Sequence, residues 1–144
     1  MFKSDPNVND NVTIQWNEDQ SVVTMTLHNT NRDSIDSYIE TNLQILRNWH
    51  SPNPLYTIQN LSHEATSATL YFRERHSEIT KLIKESQVNI YAAIVVKNSL
   101  SGQLLQSFAR VIPNQSRYLT QRFFTNLAEA EAWIEKEKYA NENT

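Results

Sequence analysis

Cysteine is absent from this chain of 144 residues, and glycine occurs once, at Gly102. The first absence excludes a disulfide framework, a cysteine-based zinc site and a thiol nucleophile. The second is unusual, since glycine averages about 7% of residues. Phosphate-binding loops and dinucleotide fingerprints need several glycines for close backbone approach. Neither can be written from this sequence.

Long apolar runs are missing too. The longest, Ile90 to Val96, falls far short of the roughly 20 residues of a membrane-spanning helix, so no membrane insertion is expected. The opening stretch Met1 to Asn11 is polar and lacks the apolar centre of a secretory signal. It reads as a disordered or poorly ordered segment. Thirteen Lys and Arg against sixteen Asp and Glu give a net charge of −3. That balance gives no electrostatic reason for a nucleic-acid or acidic-membrane partner. The expectation is a soluble, cytoplasmic protein of one domain, spanning 12–139, with a frayed tail over 140–144. At this length a domain buries roughly 70% of its unfolded surface and needs no metal to hold it together.

What is present is periodicity. Val12 to Trp16 alternates strictly, and Ser21 to Leu27 alternates again after a short polar link, which predicts an antiparallel hairpin. Asp33 or Ser34 is the expected cap of a helix reaching about Trp49, with Ile35, Tyr38, Ile39, Leu43, Leu46 and Trp49 on one stripe. Ser51-Pro-Asn-Pro54 stops it, and a strand follows from Leu55 to Gln59. Thr66 or Ser67 is the expected cap of a second helix running to about Ser86, whose stripe is Phe72, Ile79, Leu82 and Ile83. Ile90 to Val96 is apolar at every position, as suits a strand covered on both faces. Ser99 or Ser101 opens a third helix with Leu104, Leu105, Phe108 and Val111 inward, ended by Pro113. Tyr118 to Phe124 is the fifth strand. Asn126 and Glu129 have the spacing of a capping box for a last helix with Leu127, Ala130, Trp133 and Ile134 inward. The order is ββαβαβαβα. It predicts an α/β fold with four helices and a mostly parallel five-stranded sheet whose N-terminal strand is antiparallel.

The segment Arg122-Phe-Phe-Thr-Asn-Leu-Ala-Glu-Ala-Glu-Ala-Trp-Ile134 and the hairpin turn Trp16-Asn-Glu-Asp19 resemble STAS-like bacterial proteins without assigned function. The STAS domain is the fold of anti-sigma-factor antagonists. The resemblance spans about Val12 to Tyr139 and implies a regulatory, protein-interaction role. Switch-bearing members carry an acidic residue after the third strand, then Asp-Ser-Ser-Gly, whose first serine is phosphorylated. Here Asn60 stands at the acidic position and Thr66-Ser-Ala-Thr69 near the motif. Ser67 could take the serine's place, but the Asp and Gly are absent. The resemblance therefore implies a module without a working phosphoserine switch.

Thr66, Ser67 and Thr69 are candidates for a phosphate site or, more simply, for a helix cap. His63-Glu64 lies in the loop before the second helix and lacks the second histidine of an H-E-x-x-H pattern. His76 falls on the apolar stripe and reads as a core histidine. Lys97, Ser99 and Gly102 join the apolar strand to the third helix, where parallel sheets bind ligands. Together with Asn60 and His63 they form a candidate loop for a partner or a small anion. Arg117, Tyr118, Arg122, Phe123 and Phe124 mix basic and aromatic residues, but neighbours on a strand face opposite ways. The three tryptophans read as core anchors. No nucleophile with a base, paired carboxylates or metal cluster is visible. The expectation is a non-catalytic module needing no cofactor, its partner another protein or a second copy. A small-anion or nucleotide-binding domain using the strand-to-helix loops is the alternative.

Overall fold

The structure is a computed structural model, described here over residues 11–110 and 118–143. The N-terminal segment expected to be poorly ordered lies outside those residues apart from Asn11, as do Val111, Pro113 and Arg117. The chain runs β1 (Val12–Trp16), β2 (Val22–Leu27), α1 (Arg32–Arg47), β3 (Leu55–Leu61), α2 (Leu70–Glu85), β4 (Ile90–Val96), α3 (Leu100–Ala109), β5 (Leu119–Phe124) and α4 (Leu127–Glu142). This is the expected α/β order. The strands lie side by side as β1-β2-β3-β4-β5. β1 is antiparallel to β2, and every later pair is parallel.

Each crossover thus advances by one strand in the same direction. Right-handed connections of that kind leave their helices on a single face. Accordingly Ile35, Ile39, Phe72, Ile83 and Leu105, from α1, α2 and α3, share one core with Met25, Leu61 and Ile94. On the other face Ala130 and Ile134 of α4 pack on Tyr56, Ile58, Ala93 and Val95. Successive residues of β3 and β4 enter opposite cores, which is why Ile90 to Val96 has no polar position. β3 runs two residues past its expected end because Asn60 and Leu61 still pair with Val95 and Val96.

Helix starts differ more. α1 is capped by Asn31, whose side chain accepts from the Ser34 amide at 2.9 Å. Ser34 is itself fully buried, so it cannot sit at the frayed edge of a helix. α2 is capped by Thr69 rather than Thr66 or Ser67. α3 is capped by Ser99, and Asn126 caps α4 by accepting from the Glu129 amide. Two residues expected inward are not: Leu104 is 47% exposed and Leu127 is 36% exposed. In α3 the inner face is Gly102, Leu105 and Ala109, which turns Leu104 toward the flank.

α4 continues past the expected fray to Glu142. Asn141 donates to the Tyr56 hydroxyl at 3.0 Å, and Lys138 binds Asp19 in the β1–β2 turn at 2.9 Å. A hydrogen bond from Ser21, then one from Lys138, lowers the Asp19 carboxyl to about 2. Trp16 and Trp49 stack with ring centres 6.2 Å apart, and with Trp133 they lie half-buried against the cores. No described helix is long and apolar enough to cross a membrane.

Candidate functional site

All parallel strands end on one side, so the loops after β2, β3 and β4 meet there beside three helix starts. Polar residues in those loops are largely engaged with one another. Asn60 accepts from both the amide and the hydroxyl of Ser62. The Thr66 hydroxyl is buried, 2.9 Å from the Leu61 carbonyl and 2.6 Å from that of His63. Ser67 is exposed; its amide donates to the Thr30 hydroxyl, and the two hydroxyls lie 3.1 Å apart. The Thr69 hydroxyl accepts from the Phe72 amide. Each of the three candidate hydroxyls therefore has a different task, and of the three only Ser67 is exposed.

His63 is exposed, and its Nδ1 accepts from the Ala65 amide at 3.1 Å. Its ring meets that of His28 edge-on, with centres 5.6 Å apart. His28 in turn bonds the Thr13 hydroxyl through Nε2. The histidine pair is thus spent on shaping the loop, and His63 engages a backbone N–H rather than a serine hydroxyl. Sequence reasoning did not single out His28, since nothing local marks a histidine that meets its partner 35 residues on.

Lys97 reaches across to the β3–α2 loop. Its ammonium donates to the Thr66 carbonyl at 2.7 Å and to the Glu64 carbonyl at 3.3 Å. The Ser99 hydroxyl accepts from the Gly102 amide, while that of Ser101 accepts from the Ala68 amide. Gly102 is required for close approach: a Cβ there would lie 1.8 Å from the Lys97 carbonyl oxygen. A carbonyl cannot yield that much, so the glycine holds the first turn of α3 against the end of β4. The expected members of the loop site, Asn60, His63, Lys97, Ser99 and Gly102, are brought to one end of the sheet. They form a cross-tied surface in which Lys97 faces protein carbonyls.

Around this surface stand exposed apolar side chains, of which Leu70 and Leu100 had no place in the sequence pattern and Leu104 was expected inward. Leu70, in the first turn of α2, is 65% exposed, and Leu100, in the first turn of α3, is 75% exposed. Leu104, one turn beyond Leu100 on the same helix face, is exposed as well. The signal available was position: an apolar residue directly after a cap precedes the buried stripe and need not join it.

The basic and aromatic residues near β5 divide between the two faces as expected. Arg110 lies over Phe123 in one core, and Arg122 lies over Phe124 in the other. Among the described residues no three His, Asp or Glu side chains are arranged to hold a metal ion. No family model matches the chain, and neither a curated protein nor a solved structure matches it.

Proposed function

We propose that this protein is a non-catalytic, STAS-like interaction module that contacts another protein through its strand-to-helix loops and the adjoining helix starts. The observation that carries this reading is the exposure of Leu70, Leu100 and Leu104 in the first turn of α2 and the first two turns of α3, beside loops whose polar groups already satisfy one another. A fully buried leucine contributes about 1.5–3 kcal/mol relative to an exposed one, so covering even two of these is a substantial gain. Grouped exposed apolar residues rimmed by polar ones are characteristic of contact surfaces. The alternative, a small anion held by the same loops, has less support, because the Lys97 ammonium is directed at the Glu64 and Thr66 carbonyls.

The reading includes the absence of a phosphoserine switch. Ser67 is exposed at the loop but is not the helix cap, and it lacks the flanking Asp and Gly of the switch motif. The test is photocrosslinking in the native cells with a reactive side chain placed at position 70, 100 or, on the opposite layer, 131. One crosslinked protein shared by positions 70 and 100 and missing at 131 is the expected result. Crosslinks of the chain to itself from both positions would make the partner a second copy. No adduct, or the same adducts at all three positions, would remove this end of the molecule as the contact surface.

A further inference from the structure

The outer surface of α2 is sorted by charge. Leu70, Arg73, Ser77, Lys81 and Lys84 follow one another at intervals of three or four residues, so they share one side of the helix, and the last four are exposed like the first. The acids Glu74, Glu78 and Glu85 fall on the neighbouring side. There Glu78 is held by Arg75, which also binds Asp36 and Glu40. Arg73, Lys81 and Lys84 form no ion pair among the described residues, although the chain as a whole is acidic at −3.

The basic side of α2 faces α3. A groove of about 300 Å³ between them has Arg73, Lys81 and Lys84 along it and Phe108 on the α3 wall. Buried His76 contributes to its inner wall and, on the sheet side of α2, to the lining of a core cavity of about 60 Å³. The Arg73 guanidinium lies over the Phe108 ring, 5.9 Å from its centre. Leu100, Leu104 and Phe108 are spaced four residues apart and share one side of α3. Both helices start at the loop end of the sheet. Leu70, Leu100 and Leu104 therefore lie toward that end of the groove, and Lys81 and Lys84 toward the other.

We propose that the α2–α3 groove receives an acidic segment of the partner protein, an inference that rests on the contact surface assigned to the loop end. The occupant is a stretch of polypeptide with apolar side chains at one end and Asp or Glu further along. Its apolar end covers Leu70, Leu100 and Leu104, and its carboxylates meet Arg73, Lys81 and Lys84. At about 1.5 Å per residue, α2 offers roughly 21 Å between positions 70 and 84, room for about four helical turns. Charge complementarity of this kind sets the orientation and encounter rate of a partner more than its affinity. Polypeptide fits the groove better than nucleic acid. The cations are confined to one side of one helix with Glu74, Glu78 and Glu85 beside them, and the leucines offer nothing to a phosphate backbone.

The test titrates the whole protein into labelled synthetic peptides and reads fluorescence anisotropy at low salt. The probe peptide carries leucines in its first half and glutamates in its second. One control has glutamine for glutamate, another has serine for leucine, and a thymidine oligonucleotide of equal charge is the third. The probe should bind more tightly than every control. The double variant Lys81→Gln/Lys84→Gln changes exposed side chains and leaves the core intact. It should weaken the probe roughly tenfold, as expected for two partly exposed ion pairs, and leave the glutamine control unchanged. No binding of the probe, equal binding of the glutamine control, or indifference to the lysines would overturn the proposal. Equal binding of the serine control would detach the groove from the leucines, and equal binding of the oligonucleotide would make it a site for nucleic acid; either result overturns it too. Photocrosslinking from position 77 in the native cells separates this inference from the reading it rests on. The protein captured from positions 70 and 100 should be captured from 77 as well, through a peptide rich in Asp and Glu. A protein captured from 70 and 100 that 77 never reaches would leave the loop-end surface standing and overturn the groove alone.

Discussion

At position 76 the polypeptide places a titratable ring where charge is unwelcome. Burial lowers the His76 imidazole from 6.5 to about 4, because the cation would lose its hydration with nothing to replace it. The unfolded chain takes up a proton near pH 6.5 that the folded one refuses until about pH 4. Stability from this group is thus full above the unfolded value and is lost as pH falls through that window, by roughly 3 kcal/mol in all. His76→Phe keeps the apolar stripe and has the adjoining cavity to take its extra volume. Urea midpoints at several pH values should therefore fall more steeply with acid for the native protein than for the variant. Carboxylates near pH 4 titrate in both proteins and cancel in the difference. Parallel curves would mean that His76 accepts a proton without cost, and that its surroundings are wetter than described. The sequence showed where His76 lies, since its spacing from Phe72 and Ile79 fixes the helix face. It could not show the groove, because Arg73 and Lys81 read as a solvated surface until α3 stands beside them.

Between one element and the next, local chemistry offers more caps than a helix can use. The loop before α2 holds Ser62, Thr66, Ser67 and Thr69, any of which can accept from an amide two or three residues on. Tertiary contacts decide among them. Thr66 is drawn inward to the Leu61 and His63 carbonyls, and Ser67 is drawn sideways to Thr30. Thr69 is left to accept from Phe72 at 3.0 Å. The same selection moves the start of α1 to Asn31, since Asn29 engages Ser34. Element type is legible in such a chain because periodicity extends over many residues. A helix start among rival caps is not, because the choice depends on partners distant in sequence, whereas Asn126 at the start of α4 was legible. Thr69→Ala should therefore cost about 1 kcal/mol in chemical denaturation. Ser67→Ala, which loses an exposed contact, should stay within about 0.5 kcal/mol. A reversal of that order would put the start of α2 two residues earlier, with Ser67 as its cap.

Across the whole molecule, the sheet order is the feature that the sequence left most open. The continuous apolar run of β4 predicts a strand covered on both sides, and β4, like β3, is so covered. Nothing in either pattern says that the strands follow one another across the sheet without a reversal. That order leaves β1 and β5 as the edges. β5 has one strand neighbour among the described residues, and its side chains range from half-buried to exposed. Among the described residues no further strand pairs with its outward side. β3 and β4 bond on both sides and should open only when the domain unfolds, at a free energy on the order of 5–15 kcal/mol. Hydrogen exchange measured residue by residue should accordingly find the slowest amides in Leu55–Leu61 and Ile90–Val96. In Leu119–Phe124 slow and fast amides should alternate, the slow ones facing β4. Uniform protection along β5, as deep as in β4, would contradict an open edge and require another strand, from this chain or a second copy, to cover it.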